Sequence, residues 1–142
     1  MNMQAVVTLI MRIGLGVLFL VHGINKFQAG LGNVAIGFEN AGTPGFLAYI
    51  AGPLETFGGI LLILGLFTRY ISAYYVIQMV MAIITMKLSA GLLGNGQMAG
   101  SELDITYLLL ALYLAAAKTV PVSADALFKR KNRNEALVEA AE

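Results

Sequence analysis

The sequence predicts an all-α fold, a transmembrane four-helix bundle with both termini in the cytoplasm. Three observations carry that prediction. Hydrophobic residues make up 58% of the 142 and the mean hydropathy is +0.79, against roughly 45–50% apolar residues in a soluble domain. Charged residues reach only 12%, too few to clothe a soluble monomer of this size, and most lie outside the apolar runs or at their edges. The apolar residues gather into four runs, at about 3–27, 46–67, 70–88 and 103–122. Each run is near the ~20 residues that a helix needs to cross ~30 Å of hydrocarbon.

The first run could be mistaken for a secretory signal, yet no basic residue precedes it and Arg12 interrupts it; it is read as a retained span. Residues 28–45, rich in Gly and Asn and carrying Thr43-Pro44-Gly45, read as a turn or re-entrant loop. Only Thr68-Arg69 separates the second run from the third, so these helices should form a tight antiparallel hairpin. A second Gly-rich loop, 89–100, precedes the fourth run. Helices are the state that pairs every backbone group within its own segment, and the runs lack the period-two alternation of a membrane barrel strand. A transmembrane domain, 1–122, is thus followed by a polar cytoplasmic tail, 123–142, read as frayed or as a short surface helix.

Orientation follows from Lys and Arg. With the amino terminus inside, Arg69, Lys118, Lys129, Arg130, Lys131 and Arg133 are cytoplasmic, and Lys26 and Lys87 are outside; the excess of positive charge belongs on the cytoplasmic face. The basic tail serves as this topological anchor, with binding to anionic headgroups as the alternative. A net charge of +1 argues neither for nucleic acid nor for an acidic substrate. The absence of cysteine excludes thiol–disulfide chemistry and Cys-ligated clusters or zinc. Glycines at 14, 16, 58, 59 and 65 allow close helix approach, within the bundle or in a homo-oligomer.

Ionisable side chains inside spans are costly and mark partners or function. Arg12, His22 and Lys26 lie in the first span, Glu55 in the second, and Glu102 and Asp104 open the fourth. With the midpoints of two antiparallel spans aligned, Arg12 falls near the depth of Glu55, which makes Arg12–Glu55 the expected structural ion pair. The plainer alternative has Arg12 snorkelling and Glu55 protonated. His22 and Lys26, four residues apart, share one face near the outer end of the first span. With Glu55 and Glu102 they are the candidates for ligand binding or proton relay, beside plainer roles as interfacial anchor, packing residue or helix-start acid. A single His and no Cys make a metal site unexpected. Pro53 either kinks the second helix or marks its start. Tyr107 and Tyr113 lie deep enough to face a neighbouring helix or a flat ligand.

The stretch from Arg12 through His22 to Lys26-Phe27, the run Glu55-Thr-Phe-Gly-Gly through Gly65 to Arg69, and the acidic opening of the fourth span together resemble the DoxX family. The likeness extends over about residues 11–121. It implies a small four-helix protein of the bacterial cytoplasmic membrane, of a group associated with quinone-linked sulfur oxidation, catechol and quinone detoxification, or oxidative-stress complexes. No motif for flavin, nicotinamide or haem is visible, so the cofactor is left open with a quinone as the candidate. The resulting expectation is a membrane redox protein that binds a quinone-like molecule and draws electrons from a partner oxidoreductase subunit or a soluble reductant. Two alternatives stand beside it: a non-catalytic membrane scaffold subunit of an oxidoreductase complex, and a small-solute transporter.

Overall fold

In the computed structural model the described residues are 3–96, 99–117 and 122–139. They form helices and connections, with one isolated bridge between Gly94 and Ala99 and no strand. The elements are α1 (Met3–Ala29), α2 (Leu31–Asn40), α3 (Leu47–Leu64), α4 (Thr68–Ala82), a π-helical turn (Ile83–Lys87), α5 (Glu102–Ala116) and α6 (Ala124–Glu139). Among the described residues, three helices are long and apolar enough to cross a membrane: Met3–Ala29, Leu47–Leu64 and Thr68–Lys87.

Apolar side chains cover the outside of the molecule. Ile10, Phe57, Ile77 and Leu109, on α1, α3, α4 and α5, are each about 60% exposed. A surface this apolar is stable only against lipid or another apolar partner. The inside is equally specific: Leu15 and Phe19 of α1, Leu62 of α3, Tyr75 and Met79 of α4, and Ala111 and Leu114 of α5 form one buried cluster. Phe19 and Tyr75 stack with ring centroids 3.6 Å apart, joining α1 to α4.

Glycine sets the register of α1 against α3. A Cβ added to Gly59 would lie 2.6 Å from the Gly16 carbonyl oxygen, and one added to Gly16 would lie 2.8 Å from that of Gly59. About two turns further along, Gly23 packs on Gly52 and Thr56. The two backbones therefore touch along an antiparallel seam, the small-residue packing that substitutes for hydrophobic drive within lipid.

Three boundaries differ from the sequence reading. The connection at 28–45, expected as a turn or re-entrant loop, holds the ten-residue helix α2. Its apolar residues Leu31, Val34, Ala35 and Phe38 follow helical spacing, a signal that the surrounding Gly and Asn obscured. The hairpin between α3 and α4 turns at residues 65–67, where Gly65 (φ 72°) and Phe67 (φ 51°) are both left-handed. Leu66 N–H closes the end of α3 on the Leu61 carbonyl, so Thr68 and Arg69 already belong to α4. The fourth expected span ends early: α5 stops at Ala116, where Ala117 leaves helical geometry with ψ 124°. Lys118 and Pro121, assigned by sequence to the close of that span, lie outside the described residues. Pro53 lies inside α3 and does not begin it, and the tail is helical through α6.

Candidate functional site

A chamber of about 380 Å³ opens among α1, α3, α4 and α5, with the α2–α3 connection along one side. Most of its wall is apolar or aromatic, including Phe19, Phe38, Tyr74 and Tyr107. That size and lining match a site for one small organic molecule.

The polar part of the wall is concentrated in one cluster. Glu55 is only 2% exposed, and Lys26 Nζ donates to its Oε2 at 2.5 Å. Gln78 Nε2 donates to the other carboxylate oxygen. Tyr75 Oη donates to the backbone carbonyls of Leu54 and Glu55, each at 3.3 Å, which ties α4 to α3 beside the carboxylate. A buried carboxylate needs this arrangement, because an unpaired charge at such a place is far costlier than a paired and hydrogen-bonded one. Lys26 retains 20% side-chain exposure, and an ammonium carries three donors, so the cluster presents a charged edge to the chamber.

The expected pair of Arg12 with Glu55 is replaced by Lys26 with Glu55, and the glycine seam supplies the reason. With Gly16 facing Gly59, Arg12 comes level with residues 63–65, and a Cβ on Gly65 would meet its guanidinium. Glu55 lies eight or more residues away along the helix axes, about 12 Å at ~1.5 Å per residue. Close backbone contact, not equal depth, decides which residues meet. Arg12 is 2% exposed and donates through Nη2 to the Val122 carbonyl at 2.9 Å. Asp125 N–H bonds to the Gly65 carbonyl at 3.2 Å, so α6 begins docked on the α3–α4 turn.

His22 lines the chamber and meets Tyr107 edge to face, with centroids 5.8 Å apart. Glu102 lies exposed in the first turn of α5, and its neighbour Asp104 takes the place at the chamber wall. No group of His, Asp and Glu among the described residues is arranged to hold a metal ion. Sequence reasoning missed Gln78, Thr43, Tyr74 and Tyr75. Gln78 had a usable signal, a carboxamide in the middle of an apolar run, whereas Thr43 stood in a stretch read as a turn or re-entrant loop.

Residues 7–88, which hold Lys26, Glu55 and Gln78, match the model of the DoxX family. The chain belongs to the DoxX family. Among its relatives, a Bacillus subtilis protein named "Putative oxidoreductase CatD" is 36% identical over 129 residues, covering 89% of this chain and 92% of that protein. An uncharacterized Haemophilus influenzae protein is 32% identical over 126 residues, covering 85% and 90%. An uncharacterized membrane protein of Mycobacterium tuberculosis is 36% identical over 117 residues, covering 72% and 69%. No solved structure matches this DoxX chain. The family match ends at residue 88, so it includes the Lys26–Glu55–Gln78 cluster and excludes the α5 side of the chamber, Asp104 and Tyr107.

Proposed function

We propose that this DoxX chain is a multi-pass protein of the cytoplasmic membrane whose chamber binds a quinone-like aromatic molecule in the service of a redox reaction. The observation that carries the reading is the charged Lys26–Glu55–Gln78 cluster set in an otherwise apolar wall. A flat ring fits between the aromatic side chains, while its oxygens find donors at Lys26 and at His22. Converting a quinone to its hydroquinone takes up two electrons and two protons. Lys26, Glu55 and His22 are ionisable groups at the place where those protons arrive. The electrons come from a partner oxidoreductase or a soluble reductant, in keeping with a relative named as an oxidoreductase.

In this reading α1, α3, α4 and α5 are the four spans of a bundle with both termini cytoplasmic. Helix α5 is the short member: its 15 residues reach ~22 Å, and local thinning of the bilayer accommodates the difference at modest cost. The Arg12–Val122 contact and the basic residues of α6 then lie at the cytoplasmic end.

The test is direct binding. The purified protein in nanodiscs is equilibrated with a short-chain benzoquinone, and retention is compared with empty nanodiscs and with Phe19→Trp, which places a bulkier ring at the chamber wall. Retention by the parent protein and its loss in the variant support the reading; retention no greater than in empty nanodiscs overturns it.

A further inference from the structure

Among the described residues, two buried polar atoms at the chamber have no hydrogen-bond partner. Gln78 Oε1 and Thr43 Oγ1 are both buried without a hydrogen bond, and both residues line the chamber. Thr43 as a whole is only 6% exposed. Buried polar atoms are nearly always paired, and each exception calls for a cause. A ligand held against this wall of the chamber would supply such a partner.

The two atoms differ in what they can accept or give. The Gln78 carboxamide has no freedom of choice, because its Nε2 is committed to the Glu55 carboxylate. A carboxylate accepts and cannot donate, so the orientation of the amide is fixed and Oε1 is left as a pure acceptor. Only a donor satisfies it. Thr43 carries a hydroxyl, which donates or accepts equally well. Lys26 donates only, and the oxygen of either a carbonyl or a hydroxyl accepts from it.

From this asymmetry we infer that the chamber prefers the hydroxyl-bearing, reduced form of its ring over the quinone, with Gln78 as the residue that discriminates. A hydroquinone oxygen accepts from Lys26 and gives its O–H to Gln78 Oε1. A quinone oxygen accepts from Lys26 in the same way but leaves Oε1 buried and unpaired. The other polar groups lining the chamber do not reverse the preference: His22 of α1, Tyr74 of α4, Thr85 and Lys87 of the π-helical turn and Tyr107 of α5 pair with either form, and the Asp104 carboxylate, also at the wall, favours a donor as well. An unmade hydrogen bond at a buried acceptor is worth roughly a factor of ten in affinity. The inference rests on the proposed ring-binding chamber and specifies which redox form that chamber holds.

The probe is tetramethyl-1,4-benzoquinone with its hydroquinone, a ring whose full substitution prevents addition to lysine. Dissociation constants of both forms are measured anaerobically by equilibrium dialysis against the full-length protein in nanodiscs. The parent protein is expected to bind the hydroquinone about tenfold more tightly, which raises the midpoint potential of the bound two-electron couple by about 30 mV. Gln78→Leu is expected to weaken hydroquinone binding, leave quinone binding unchanged and so shrink the difference to whatever part Asp104 supplies. Thr43→Val should weaken both forms alike. Equal affinity for the two forms, tighter binding of the quinone, or a preference undiminished by Gln78→Leu overturns this inference while leaving the ring-binding chamber intact. Binding of neither form overturns both. The comparison within the parent protein decides the matter even where a variant fails to fold.

Discussion

Lys26 and Glu55 stand 29 residues apart in the chain and 2.5 Å apart in the fold. The pair joins α1 to α3 at the wall of the chamber, and Gln78 of α4 completes it. Three helices thus converge on one carboxylate that is almost wholly removed from solvent. Removing one partner leaves the other charge buried and alone, a change that costs about 3–5 kcal/mol. Lys26→Met and Glu55→Gln should each lower stability by that order, and the double variant should lose less than the sum of the two. A double-mutant cycle from reversible unfolding in mild detergent measures the coupling; strict additivity would mean the pair contributes nothing.

The glycine seam makes a sharper prediction about space. Gly59→Ala places a methyl 2.6 Å from the Gly16 carbonyl oxygen and 2.7 Å from the Leu20 amide nitrogen. Backbone cannot move aside as a side chain can, so overpacking should cost about 1–3 kcal/mol. Gly14→Ala meets nothing within 4 Å and should be neutral or stabilising by up to about 1 kcal/mol through helix propensity. Thermal unfolding of the two variants side by side checks this, and similar melting temperatures would show that α1 and α3 do not touch along this seam.

The hydroxyl of Tyr75 can be separated from its ring. Tyr75→Phe retains the stack on Phe19 and removes the hydrogen bonds to the Leu54 and Glu55 carbonyls, at about 0.5–1.5 kcal/mol. Tyr75→Ala also empties a fully buried position and should cost about 3–5 kcal/mol. Chemical denaturation distinguishes the two magnitudes; an equal loss would assign the whole contribution to the hydroxyl.

Arg12 holds the start of the carboxyl-terminal helix. Its bond to the Val122 carbonyl is charge-assisted, and losing it should free α6 from the α3–α4 turn. Arg12→Gln is expected to raise the rate of limited proteolysis within residues 122–139 by roughly tenfold or more, while α1 to α5 remain protected. An unchanged cleavage pattern would show that other contacts alone hold the helix.

The absence of cysteine makes topology easy to read. Leu93, 79% exposed on the α4–α5 connection, and Asn132 on α6 should fall on opposite sides of the membrane. A membrane-impermeant maleimide should label Leu93→Cys in intact cells, and Asn132→Cys only after permeabilisation. The reverse pattern would invert the proposed orientation, and labelling of both in intact cells would break the four-span count.

The sequence by itself determined the class of molecule. Apolar runs near 20 residues long leave a chain little choice but helices in lipid, because their backbone polar groups must be paired internally. It also named Glu55, Lys26 and His22, since ionisable groups within apolar runs stand out by their cost. Tertiary structure decided who meets whom. The contact of Gly16 with Gly59 slid α1 along α3 until Lys26, and not Arg12, reached Glu55. The same packing brought in Gln78, whose carboxamide within an apolar run was its only mark in the sequence, and Thr43, which nothing in the linear chain distinguishes from a solvated residue. Span lengths constrain depth only loosely, whereas a backbone contact without side chains fixes register to within one residue, and the identity of the buried pair depends on that residue.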